Sequence, residues 1–273
     1  MNTVYVSGSF DDLRSRQVRF LDEAAQLGNV HVLLWSDEMV QAQTGAAPKF
    51  PQAERQYFLE AVRYVAQVSL VDRLVDGERL PDFPLAQGSI WVVTEDGDHP
   101  AMRQSCLSAG LQYRVIPEAA LHTFPIRTLS APASSDELKK VVVTGCYDWL
   151  HTGHVRFFEE TSELGDLYVV IGSDANVRLL KGEDHPLYLE PERLYMVQSM
   201  RYVTRALVST GTGWMDAEPE IALIQPDRYA VNEDGDKLEK RAFCRKHGIE
   251  YVVMRRSPKA GLPRRASTDL RGF

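Results

Sequence analysis

The sequence predicts an α/β protein made of two similar domains, each a doubly wound parallel sheet. Two observations carry this. Apolar, β-branched runs alternate with helix-like segments in both halves of the 273 residues. One passage also occurs twice: Gly8-Ser9-Phe10-Asp11-Asp12-Leu13-Arg14-Ser15-Arg16-Gln17 aligns with Gly145-Cys146-Tyr147-Asp148-Trp149-Leu150-His151-Thr152-Gly153-His154 at an offset of 137 (145 − 8), without a gap to Asp37 and Asp174. Further on, Glu54-Arg55-Gln56-Tyr57 and Arg63-Tyr64-Val65 match Glu192-Arg193-Leu194-Tyr195 and Arg201-Tyr202-Val203 at an offset of 138 (192 − 54). Val93 to Asp98 matches Val231 to Asp236, and Cys106, Gly110 and Tyr113 match Cys244, Gly248 and Tyr251. So long a period marks an internally duplicated domain, not a solenoid unit.

In the first half, Val4–Val6 reads as a strand, followed by a helix to Leu27 and strands at Val30–Leu34 and Ile90–Val93. In the second, Lys140–Thr144 is a strand broken by Gly145, and a helix runs from about Gly153 to Leu164. Leu167–Ile171 is the next strand, and Pro191–Val203 a helix with proline in its first turn. Ala206–Val208, Tyr229–Val231 and Tyr251–Met254 are later strands, with a helix over Leu238–Lys246. Between the halves, Ser130-Ala131-Pro132-Ala133-Ser134-Ser135 reads as an exposed linker. The predicted domains are 1–125 and 140–273, joined by 126–139.

The net charge of −7 argues against a nucleic-acid binder. No apolar run approaches the roughly 18 residues of a membrane span. The start lacks the basic and apolar regions of a secretory leader, and three cysteines give neither a disulfide framework nor a zinc-ligand spacing. A cytoplasmic location follows as the expectation. Basic residues gather near the end, at Arg255, Arg256, Lys259, Arg264, Arg265 and Arg271, which reads as an anion site or a solvated tail.

The two halves act as controls for one another. The first has Arg14, Arg16 and Gln17 where the second has His151, Gly153 and His154. Beyond a parallel strand, at a helix N-terminus, two imidazoles across a glycine can aim at one phosphate, and Gly153 lets backbone approach closely. A zinc site would need further ligands, which are not evident nearby.

Gly-Cys-Tyr-Asp-Trp-Leu-His-Thr-Gly-His resembles the HxGH signature of the nucleotidyltransferase superfamily, and its cytidylyltransferase branch in particular. Lys181-Gly182 resembles that branch's lysine segment, Glu192 to Gln198 with Arg201-Tyr202-Val203 its following helix, and Arg264-Arg265-Ala266-Ser267-Thr268-Asp269-Leu270 its carboxy-terminal Ser/Thr signature. The tandem layout is similar to ethanolamine-phosphate cytidylyltransferases.

The resemblance implies Rossmann-like domains of the HUP type and an enzyme without a covalent intermediate. A small phosphorylated or phosphonylated alcohol would attack the α-phosphorus of CTP, and pyrophosphate would leave. His151, His154 and Lys181 would be catalytic. Gly145, Cys146, Tyr147, Asp148, Gly153, Arg193, Asn232, Arg264, Arg265, Ala266, Ser267 and Thr268 would bind nucleotide, with Mg2+ accompanying the triphosphate and no metal held by the protein alone. Asp148 and Arg193 also have counterparts in Asp11 and Arg55, which equally fits a role in the fold. The Ala-Ser-Thr-Asp-Leu-Arg ending resembles the form seen in adenylyltransferases, so ATP is the alternative donor; a non-catalytic nucleotide-binding regulator is the other alternative. The first half, lacking the histidines, the lysine (Thr44 instead) and the Ser-Thr run, reads as catalytically dead. Since single-domain members of the family pair as dimers, it would serve as a built-in partner, with homodimerisation as a further option.

Overall fold

The computed structural model describes residues 2–73, 80–125, 138–266 and 270. The chain forms two compact units, Met1–Phe124 and Pro125–Phe273. Apart from Leu138 and Lys139, the expected linker lies outside the described residues.

The first unit runs β1 (Thr3–Gly8), α1 (Ser15–Ala25), β2 (Asn29–Trp35), α2 (Asp37–Thr44), α3 (Gln52–Ala61), β3 (Val65–Val71), β4 (Ile90–Thr94), α4 (Pro100–Ser108), β5 (Gln112–Ile116) and α5 (Glu118–Leu121). The second runs β6 (Lys140–Gly145), α6 (Thr152–Ser162), β7 (Asp166–Ile171), α7 (Asp174–Lys181), α8 (Glu190–Gln198), β8 (Arg205–Val208), α9 (Glu218–Ile224), β9 (Arg228–Asn232), α10 (Leu238–His247) and β10 (Glu250–Met254). Each unit holds a five-stranded sheet, ordered β3-β2-β1-β4-β5 in the first and β8-β7-β6-β9-β10 in the second, so the two orders are the same. Every strand pair is parallel.

Val141, Val142 and Val143 are all fully buried, as a strand covered on both faces requires. Val142, Val170, Tyr229 and Val231 pack with Ala217, Ile221, Ile224 and Cys244, which puts α9 and α10 on one face. Right-handed crossovers place α6 on the other. The chain leaves β6 toward β7 and returns on its far side as β9, so a crevice opens beyond the carboxyl end of β6, where ligands of such sheets bind.

Helices of the second unit depart from the sequence expectation in two ways. The helix expected to reach Val203 stops at Gln198, where the Ser199 hydroxyl donates back to the Tyr195 carbonyl at 2.8 Å and occupies an end group of the helix. The short helix α7, not assigned from sequence, is bracketed by its caps: Ser173 Oγ accepts the Asn176 N–H at 3.2 Å, and Gly182 follows at φ +100°.

Candidate active site

After Gly145 the chain turns through Tyr147, which lies in the left-handed region at φ +49°. For a bulky residue such a conformation costs on the order of 1–3 kcal/mol, and close packing of the ring offsets it. A Cβ on Gly145 would lie 2.9 Å from Tyr147 Cζ, so only glycine leaves room for the ring. The ring then meets His154 edge-on with centroids 5.2 Å apart, and Phe158 at the same separation. The local sequence thus shapes the wall against which the His154 imidazole rests.

His151 caps α6, its Nδ1 accepting the Gly153 N–H at 3.1 Å. The His154 ring stacks on it at 4.0 Å between centroids and 27° between planes. Gly153 separates the two for reasons of space: a Cβ would lie 2.8 Å from His151 Cε1 and 3.3 Å from the Arg265 carbonyl oxygen.

Burial pushes the His154 imidazole well below its ordinary pKa, and the nearby charges of His151, Arg256 and Lys181 push it the same way. It is therefore neutral at pH 7. Its Nδ1 is enclosed and has no hydrogen-bond partner among the described residues. Lys181 is the exposed last residue of α7, close enough for its charge to act on both His154 and Cys146.

A cleft of about 160 Å³, open to solvent, is lined by Gly145, Cys146, Tyr147, Gly153, His154, Asn232 and Arg256, with Thr144, Asp234 and Lys240. It adjoins a second, shallow hollow that shares Gly153, Asn232 and Arg256 and is walled by Arg156, Arg255, Lys259, Arg264 and Arg265. Arg256 knits the boundary. It pairs with Asp234 and donates to the Arg265 carbonyl at 3.1 Å, which draws the basic carboxy-terminal segment over the start of α6. The structure so brings together Gly145, Cys146, Tyr147, Gly153, His154, Asn232, Arg264 and Arg265, with Ala266 next in the chain. Ser267 and Thr268 lie outside the described residues.

Asp148 and Arg193 occupy different ground. Asp148 is buried and accepts from the Leu187 N–H at 2.6 Å, the Tyr188 N–H at 3.1 Å and His185 Nδ1 at 2.7 Å. Asp11 accepts likewise from the N–H groups of Lys49 and Phe50 at 2.7 and 2.9 Å. Arg193 is 1% exposed and donates to the carbonyls of Tyr188, Cys146 and Gly172 and to the Asp174 carboxylate, all at 2.7 to 2.8 Å. Arg55 makes the same four kinds of bond, to Phe50, Ser9, Trp35 and Asp37. These contacts hold the loops that frame the crevice, and their signal in the sequence was persistence in a half without histidines. Lys240 carries no such signal, and sequence reasoning missed it.

Among the described residues no group of three or more histidines, cysteines or acids is placed to hold a metal, and no helix is long and apolar enough to cross a membrane. The neutral His154 imidazole, a helix N-terminus and an arginine-lined hollow together suit a polyphosphate whose charge shifts during reaction.

A family model described as cytidylyltransferase-like matches residues 142–268. An FAD synthase of Methanocorpusculum labreanum is 32% identical over 136 residues, spanning 49% of this chain and 93% of that protein. The FAD synthase of Methanolacinia petrolearia is 36% identical over 121 residues, 43% of this chain and 78% of that protein. The bifunctional protein HldE of Nitratiruptor is 40% identical over 72 residues, 26% of this chain and 16% of its own length. Among solved structures, a lipopolysaccharide core biosynthesis protein from Thermoplasma volcanium shares 27% identity over 45% of this chain and 98% of that one, with a TM-score of 0.38. With a relative matched over nearly its whole length, and a family model matched on the half that carries the paired histidines, the chain belongs to the cytidylyltransferase-like family of the nucleotidyltransferase superfamily and is a nucleotidyltransferase.

Proposed function

We propose that the second unit transfers AMP from ATP to a small phosphorylated acceptor. The acceptor's phosphate oxygen forms a bond to the α-phosphorus, the bond from that phosphorus to the β-phosphate oxygen breaks, and pyrophosphate leaves. The observation that carries this reading is the stacked histidine pair at the start of α6, whose neutral His154 lines a cleft that continues into an arginine-lined hollow. His151 and His154 donate to phosphate oxygens as charge builds up, and the arginines take the departing pyrophosphate. Lys181 reaches the nucleotide and the attacking phosphate. By the family resemblance, Ser267 and Thr268 hold the distal phosphates, with Mg2+ arriving on the triphosphate.

The donor expected from sequence was CTP, and here ATP takes its place. Building FAD from a flavin phosphate requires an adenylyl group, and FAD synthases recur among the relatives. The Ala-Ser-Thr-Asp-Leu-Arg ending supports the same choice. The two units descend from one duplicated domain on this reading, a view supported by their matching strand orders. The first unit is inactive: its Arg16, in the place of Gly153, is tied to Glu118 at 2.6 and 2.8 Å and to Asp96 at 3.2 Å.

The test is pyrophosphate release by the full chain with Mg2+ and either ATP or CTP, across FMN, phosphoethanolamine, glycerol 3-phosphate and a sugar phosphate. ATP with one phosphorylated acceptor is expected to give the fastest release. A preference for CTP restores the cytidylyl reading, and silence with every pair removes nucleotidyl transfer altogether.

A further inference from the structure

The cleft contains a cation that belongs to none of the motifs. Lys240 projects from α10 into the wall formed by Thr144, Cys146 and Asn232. Its Nζ makes one long contact, 3.4 Å to Thr144 Oγ1, and stands 5.4 Å over the Tyr229 ring. Among the described residues no carboxylate lies within ion-pair distance of it. An ammonium has three donors to satisfy, and most of this one's capacity is unspent. Burial pushes its pKa below the ordinary lysine value, while the Asp216 charge acts in the opposite sense. The first unit has Met102 at the equivalent position, so the fold itself does not demand a cation there.

Placement says what Lys240 would meet. Thr144 shares its side of β6 with Val142, because side chains alternate along a strand, and that is the face covered by α9 and α10. The histidines and the arginine-lined hollow stand across the crevice, at the start of α6 and along the carboxy-terminal segment. In phosphoryl-type transfer the attacking and leaving oxygens lie roughly in line through the reacting phosphorus. With pyrophosphate departing into the arginine-lined hollow, the acceptor enters from the opposite end, where Lys240 waits with its unspent donors.

We propose that Lys240 is a specificity-determining residue of the acceptor site, binding an oxyanion of the acceptor and not the nucleotide. The inference rests on the nucleotidyl-transfer reading. Its test is steady-state pyrophosphate release by full-length wild type, Lys240→Met and Lys240→Arg, using the donor and acceptor that wild type prefers in the panel above. Lys240→Met is expected to raise the acceptor KM by about tenfold or more, the scale of a lost charged hydrogen bond. The ATP KM should stay within about twofold, and Lys240→Arg should retain most of the acceptor affinity. An unchanged acceptor KM overturns the proposal, and so does an ATP KM that rises in step, which would put Lys240 on the nucleotide. Should Lys240→Met lose its native circular dichroism, Lys240→Gln carries the same comparison. A wild type without activity on any pair is a different failure: it removes the transferase reading first, and this inference with it.

Discussion

The two units share strand order, turn geometry and buried staples, yet they part company at the mouth of the first crossover helix. Phe10 and Tyr147 both take up left-handed backbone, at φ +45° and +49°. Gly28 and Gly165 both pass so near a carbonyl, that of Asn2 or Lys139, that a Cβ would sit 2.2 or 1.9 Å from its oxygen. Tyr113 and Tyr251 each donate to an aspartate, Asp98 or Asp236, at 3.1 Å. At the helix mouth the chemistry reverses. The second unit has a glycine with an imidazole on either side, beside Arg256. The first has Arg16 where that glycine stands and Glu118 where Arg256 stands, joined to each other and to Asp96. Gln17, in the place of His154, folds back to accept the Arg14 N–H at 3.1 Å. What one unit offers to an anion, the other has already satisfied internally.

The largest effect should come from what the units share. Arg55→Ala and Arg193→Ala each remove a buried guanidinium with several partners, and each should destabilise its own unit by about 3–5 kcal/mol. Urea unfolding of both variants checks this; Arg193→Ala unfolding like wild type while Arg55→Ala is destabilised would move Arg193 from scaffold to site. Next come changes confined to the site. His154→Ala should lower the rate of pyrophosphate release about 10²–10³-fold, whereas Gln17→Ala at the equivalent position should leave it intact. Gly153→Arg, which imports the first unit's residue, should be at least as damaging, because its Cβ alone meets the His151 ring.

A smaller effect follows from pH. His154 has its folded pKa depressed below 6.5, so the unfolded chain binds the proton more readily than the folded one. Its contribution to stability is present above about pH 6.5 and is lost as pH falls below that value. The melting temperature should drop between about pH 6.5 and 5, and His154→Gln should flatten that slope. Smallest of all is Arg16→Gly. Its partners are exposed to solvent, which screens the ion pairs and leaves them little to contribute, and nucleotide binding should be unaltered.

Much of this was legible in the residues. The repeat carried the sheet order because buried parallel strands are continuous apolar runs, as in Val141-Val142-Val143. The histidine pair stood out because its counterpart half lacked it. The same comparison separates Asp148 and Arg193 from the site, since Asp11 and Arg55 persist where the histidines do not. Other features had no such mark. Helix α9 carries a proline in its first turn and is capped by Gln225 in left-handed backbone, φ +51°, with no glycine to announce its end. Lys240 sits in Leu-Glu-Lys-Arg-Ala-Phe-Cys-Arg-Lys-His, where a lysine looks like any solvated helix residue. Only the packing of α10 against Tyr229 and Thr144 turns it into the cleft.

The account stands on there being one working nucleotide site in a chain with two such folds. Calorimetric titration of the full chain with ATP and Mg2+ measures this directly. One nucleotide per chain is predicted, with binding abolished by Gly153→Arg and untouched by Arg16→Gly. Two nucleotides per chain, or a single one that survives Gly153→Arg, would contradict it.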